Sequence, residues 1–136
     1  MNTLLTIGNN NTALTLPDGS RHAIALGIET LCAQQLRRMP PGDYEWETAI
    51  MTVEDAIAPM RALLPPQSTL HISGSGLQTL ADADGLLTRE AAEQAFQRIS
   101  RYGNDAAVPQ DLPAYARLLL VREWLHHMGF ASAYLD

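Results

Sequence analysis

The residues best placed to do chemistry are the run Ser73-Gly74-Ser75-Gly76 and the nearby His71. Glycines let a backbone approach a ligand closely, and where such a turn joins a strand to a helix its amides and the helix dipole attract an anion. A phosphate or carboxylate suits that setting. His71, inside an apolar strand, is the histidine nearest to it for acid-base work. The structural account of the same residues is plain: short glycine turns follow strands for backbone reasons alone, and a histidine in a strand commonly packs on a sheet face. Two catalytic patterns fail here. Thr79 stands where G-x-G-x-x-G needs its third glycine, and Ser73 and Leu77 stand where a nucleophile elbow around Ser75 needs glycines.

The rest of the inventory is as much exclusion as evidence. The chain has no lysine, so all nine basic side chains are arginine; a Walker A phosphate loop and a lysine Schiff base are both ruled out. Cys32 falls on the apolar side of a helix, where a thiol behaves as a small hydrophobe. His126 and His127 point about 100° apart on a helix and cannot share one ion. Glu123, one turn before His127, is its expected partner. Asp82-Ala83-Asp84-Gly85 invites a calcium loop, but aligned on Gly85 it puts Leu80 and Ala91 at obligatory ligand positions, so it reads as a loop. Glu45 and Glu47 share one face of an alternating stretch and suggest a paired-carboxylate site, against the simpler reading of a solvated face. No metal and no cofactor is expected.

These residues need elements to hold them. Thr3–Ile7 and Thr12–Leu16 are β-type runs joined by Gly8-Asn9-Asn10-Asn11, a hairpin signal. Ser20 is read as the N-cap of a first helix through Ile24, Ile28, Leu31 and Cys32 to Arg37-Arg38. From Asp43 to Met51 the pattern alternates strictly and predicts a half-exposed strand. Thr52 then caps a helix to Leu64 with Pro59 inside it, Ser68–Ser73 is a strand, and Leu77–Ala83 is a short helical stretch. Thr88 caps a helix over Arg89–Tyr102, closed by Gly103. Pro113–Met128 is a last helix, apolar on more than one face, so it is central to the core or half of an interface.

The run Thr6-Ile7-Gly8-Asn9-Asn10, with its hairpin followed by helix, strand, helix and strand, resembles the first half of an RNase H-like or actin-like fold. In such folds a phosphate-binding hairpin carries Asp-x-Gly. Here threonine holds the position of the metal-linked aspartate, so the resemblance implies the fold without its activity.

The whole chain, 1–136, therefore reads as one α+β domain: a hairpin, about four strands in a mixed sheet, and an all-helical C-terminal third. Its 46% apolar and 18% charged residues are those of a globular protein. A net charge of −6 repels phosphate backbones and acidic lipid, so neither nucleic acid nor membrane is expected as partner. One cysteine and no apolar lead sequence suit the cytoplasm. With every catalytic pattern broken, the first functional reading is a non-enzymatic accessory protein that meets another protein, or a second copy of itself, through Trp124, Met128, Phe130 and Tyr134. The alternative is an anion- or phosphate-binding protein or hydrolase using Ser73, Gly74, Ser75 and Gly76, with His71 beside them.

Overall fold

A computed structural model describes all residues, 1–136. The fold is α+β, with six strands in one mixed sheet and four helices. Strand β1 (Asn2–Ile7) buries Thr3, Leu5 and Ile7 and exposes Asn2, Leu4 and Thr6, the period-two pattern of a sheet covered on one face. It turns through Gly8–Asn11 into β2 (Thr12–Thr15), with Gly8 N–H donating to Asn11 O at 2.9 Å.

A second hairpin follows where the sequence predicts a helix. Arg21–Ile24 is β3, antiparallel to β2 from Thr15↔Arg21 to Thr12↔Ile24. Ser20 is not an N-cap: the Asp18 carboxylate accepts both its N–H and its hydroxyl, at 2.8 and 2.6 Å, and Gly19 takes φ +88°, which closes the tight turn. Helix α1 is only Ile28–Gln34.

The second correction is larger. Asp43–Ile57 is helix α2, so neither the strand over Asp43–Met51 nor the cap at Thr52 exists. Its buried residues Trp46, Ala49, Val53 and Ile57 follow helical spacing, and Ala49 lies on the face that strict alternation had made polar. Over nine residues the two periods overlap; the capping carboxylate decides between them. Glu45 accepts Gly42 N–H at 3.0 Å, Arg37 N–H at 2.9 Å and Arg38 Nε at 2.8 Å. It is thereby taken out of any pair with Glu47. Pro59 sits at the start of a 3-10 turn, Ala58–Leu63, where its missing N–H costs nothing.

Strand β4 (Thr69–Ser73) lies parallel to β1. A short strand β5 (Leu86–Thr88) leads into α3 (Arg89–Tyr102), whose Thr88 cap and left-handed Gly103 stand where the sequence puts them. The Asp111 carboxylate caps α4 (Leu112–His127) by accepting Ala114 N–H at 2.7 Å. Strand β6 (Ser132–Leu135) then inserts between β4 and β5, so the C-terminal third is not wholly helical. The sheet order is β3-β2-β1-β4-β6-β5. Both parallel crossovers, β1 to β4 and β4 to β6, step the same way, and right-handed connections put their helices on one face. One core of 32 buried residues joins that face to all four helices. The other face carries Leu4, His71 and Tyr134 side by side in register. No helix is long and apolar enough to cross a membrane.

The Glu45 contacts carry a pH signature. The Arg38 guanidinium, then the Gly42 and Arg37 amides, hold its carboxyl at about 2, against 4.5 for the free group. A lowered folded-state value stabilises the fold fully above the unfolded value, and that contribution fades as pH falls from 4.5 through about 2. Glu45→Gln should therefore lower the urea midpoint clearly at pH 7 and much less near pH 2. An equal loss at both pH values would contradict this role.

Candidate functional site: the carboxyl-terminal rim of β1 and β4

Because β1 and β4 are parallel with Thr6 opposite Ser73, the loops that follow them emerge together. In open sheets of this kind, ligands bind beyond the carboxyl ends of the strands. Gly74 is obligatory at this point. It takes φ +81°, and a Cβ there would lie 2.5 Å from Ile7 O. The hairpin loop Gly8–Asn11 is seated from the other side by α1: Ile28 N–H donates to Gly8 O at 3.0 Å and Glu29 N–H to Asn9 O at 2.7 Å. Gly27 permits that seating, since its Cβ would meet Gly8 O at 2.4 Å. Thr12 Oγ1 donates to Leu26 O at 2.7 Å and ties the strand to the segment before α1.

The first amides of α1 are thus consumed by carbonyls of the chain itself. Those of the glycine turn are not: Gly74, Ser75 and Gly76 N–H donate to no group of the protein. The expected helix dipole behind this turn is missing, because only a 3-10 turn, Gln78–Leu80, follows. Its place is taken by a full charge that the sequence alone did not single out. Arg117, on α4, lies half-buried with its Cδ 3.1 Å from where a Gly76 Cβ would stand. It forms none of the ion pairs of the chain, whose arginine members are Arg38, Arg98 and Arg122. Beyond it, Gly76, Gln78 and Thr79 face Ala107 and Pro109 across a cleft of about 300 Å³.

The other predicted residues fall in different places. Ser75 is fully buried and its Oγ accepts Leu77 N–H at 3.3 Å, so it supports the turn from inside and has no path to an electrophile. His71 is on the open sheet face, stacked on Tyr134 with ring centroids 5.4 Å apart, two residues short of the rim. Burial pushes the Cys32 thiol up; the field of Asp111 adds to this and Arg117 opposes it. Asp82 accepts Asp84 and Leu86 N–H at 2.9 and 3.0 Å, the loop leading to β5 that its failed calcium pattern predicts.

The apolar contact set also dissolves. Trp124 is 1% exposed and Met128 7%, both within the chain's own core, and Phe130 packs against that core. Only Tyr134, at 39%, faces outward, and it does so on the sheet and not on the last helix. Helix α4 is apolar on more than one face because α1, α2 and α3 pack on it and its buried residues join the single core.

No protein-family model matches this chain, and no curated protein matches it by sequence. Solved structures do match. The PPX-GPPA enzyme of Aquifex aeolicus superposes with a TM-score of 0.79 at 15% identity, over 99% of this chain and 52% of that one. An exopolyphosphatase-like protein gives 0.73 at 15% identity, over 99% and 54%. An exopolyphosphatase from Cytophaga hutchinsonii gives 0.72 at 10% identity, over 100% and 53%. At these identities the likeness is one of fold, and the chain spans about half the length of these structures. The hairpin on which the RNase H-like and actin-like resemblance rests is present, extended by β3; the strand it required at Asp43–Met51 is α2 instead.

If Gly27 exists to seat the hairpin loop, Gly27→Ala should overpack the rim and destabilise the fold by about 1–3 kcal/mol, read from urea unfolding. A wild-type midpoint would show that the loop is not held this way.

Proposed function

We propose that this protein binds a phosphate-bearing ligand at the carboxyl-terminal rim of β1 and β4. The observation that carries the reading is Arg117: a half-buried guanidinium without a carboxylate partner, packed on a glycine turn whose three amides have no acceptor in the chain. Gly74 and Gly76 are exposed and Arg117 is half-buried, so the guanidinium and the unpaired amides are open to an anion or to water. Guanidinium and backbone amides together match a phosphoryl group, the one giving charge and the others oriented donors. The resemblance in fold to proteins described as exopolyphosphatases supports the same ligand class.

The reading is of binding without turnover. In the RNase H-like and actin-like resemblance the chemistry depends on an aspartate in β1, and Thr6 stands there. Thr6 and Ser73, neighbours in register at the end of the sheet, supply hydroxyls, which donate to a phosphate and do not hold a metal as a carboxylate does. The accessory-protein reading loses its basis, since Trp124 and Met128 are core residues.

Calorimetric titration with inorganic tripolyphosphate tests the proposal. The wild type should show saturable binding that weakens with salt, and Arg117→Gln should bind at least tenfold more weakly while unfolding as cooperatively as the wild type. Absence of binding by the wild type, or equal affinity in the variant, would overturn it.

A further inference from the structure

At the far end of α4 a second polar cluster stands apart from the rim. Glu123, whose side chain is 2% exposed, and His127, one turn on, meet Glu54 from α2. His127 Nε2 lies 2.9 Å from Glu123 Oε2 and 3.5 Å from Glu54 Oε1, and the three atoms fall within 4.8 Å of one another. Tetrahedral zinc with ligands near 2.1 Å holds neighbouring ligand atoms about 3.4 Å apart. The spacing therefore fits with small side-chain adjustments. We infer that Glu54, Glu123 and His127 form a binding site for a divalent transition metal of the zinc class, bridging α2 and α4 and leaving a fourth position for water.

The surroundings agree with a cation. Arg122 Nη1 donates to Glu123 Oε1 at 2.9 Å, which fixes the carboxylate and turns its other oxygen toward His127, as an outer-shell partner of a ligand does. The same guanidinium also bonds Glu93 of α3, so Glu93 and Glu123 share one arginine, while the only ion-pair partner of Glu54 is His127. Arg61 does not redress the balance: its Nη1 donates to the carbonyl oxygen of His127 at 2.9 Å. His126 lies edge-on to His127, with ring centroids 4.9 Å apart, and is exposed. Burial pushes the Glu123 carboxyl up, with Arg122 and His127 pulling it down and Glu54 pushing it further up; a metal at Oε2 supplies the positive charge such a buried group lacks. The mixed set of one imidazole and two carboxylates suits zinc better than magnesium or calcium, which take oxygen alone. Helical spacing pairs Glu123 with His127, but Glu54 lies 69 residues before Glu123 and reaches the site only through the packing of α2 on α4.

The test is calorimetric titration of the chelator-treated protein with Zn²⁺ at pH 7.5. One ion per chain should bind, at least tenfold more weakly to Glu54→Gln and to His127→Gln, and with wild-type affinity to His126→Gln. If the cluster is only an imidazolium held between two carboxylates, the wild type will show no saturable one-site binding, which would overturn the inference. Unchanged binding in a cooperatively folded His127→Gln would overturn it equally. Glu54 is half-exposed and His127 lies at the helix end, so at least one of these variants stays measurable.

Discussion

The burial of α4 on all sides is the constraint on which the rest of the structure depends. A right-handed path from β1 to β4 and on to β6 puts every helix on one face of the sheet, and a single helix must then fill the middle of that layer. Ten of its residues are buried, including Leu118 through Val121 in unbroken sequence. A helix so placed has no spare apolar face, and any polar residue on it must be satisfied inside the protein or serve a site. Arg122 illustrates the first case, bonded to Glu123 and to Glu93. Arg117 illustrates the second.

The same helix sets the two polar ends of the molecule. Its N-terminal half carries Arg117 to the end of the sheet where the β1 and β4 loops emerge, and its last turn carries Glu123 and His127 to the opposite end, beside α2. The rim offers positive charge and free donors, whereas the far end has an excess of carboxylates. The proposed anion and cation sites thus lie at opposite ends of one helix, in a chain that is acidic as a whole.

Much of this architecture was legible in the sequence wherever local signals act alone. The hairpin at Gly8–Asn11, the strand ending at Ser73 and the Thr88-to-Gly103 helix each carry their own turn or cap residues. The Glu123–His127 contact follows from helical spacing alone. Failures occurred where tertiary context decided. Asp43–Met51 alternates well enough for a strand, yet Ala49 must face the core and Glu45 must cap, and neither demand shows in a window of nine residues. Arg21–Ile24 and Ser132–Leu135 are four-residue strands defined by their neighbours. The glycine turn was legible as a ligand-binding candidate, but the charge beside it was not. Arg117 comes from 41 residues downstream of Gly76, inside a run that reads simply as apolar helix.

Where an anion touches the protein is the most direct test of the rim as a binding site. Amide chemical shifts of the ¹⁵N-labelled chain, followed by NMR during titration with tripolyphosphate, report that location residue by residue. Saturating shifts should concentrate at Gly74, Ser75 and Gly76, with Asn9, Asn10 and the segment around Arg117 close behind. Shifts confined to the opposite end of α4, or absent altogether at saturating ligand, would contradict the assignment of the rim as the binding site.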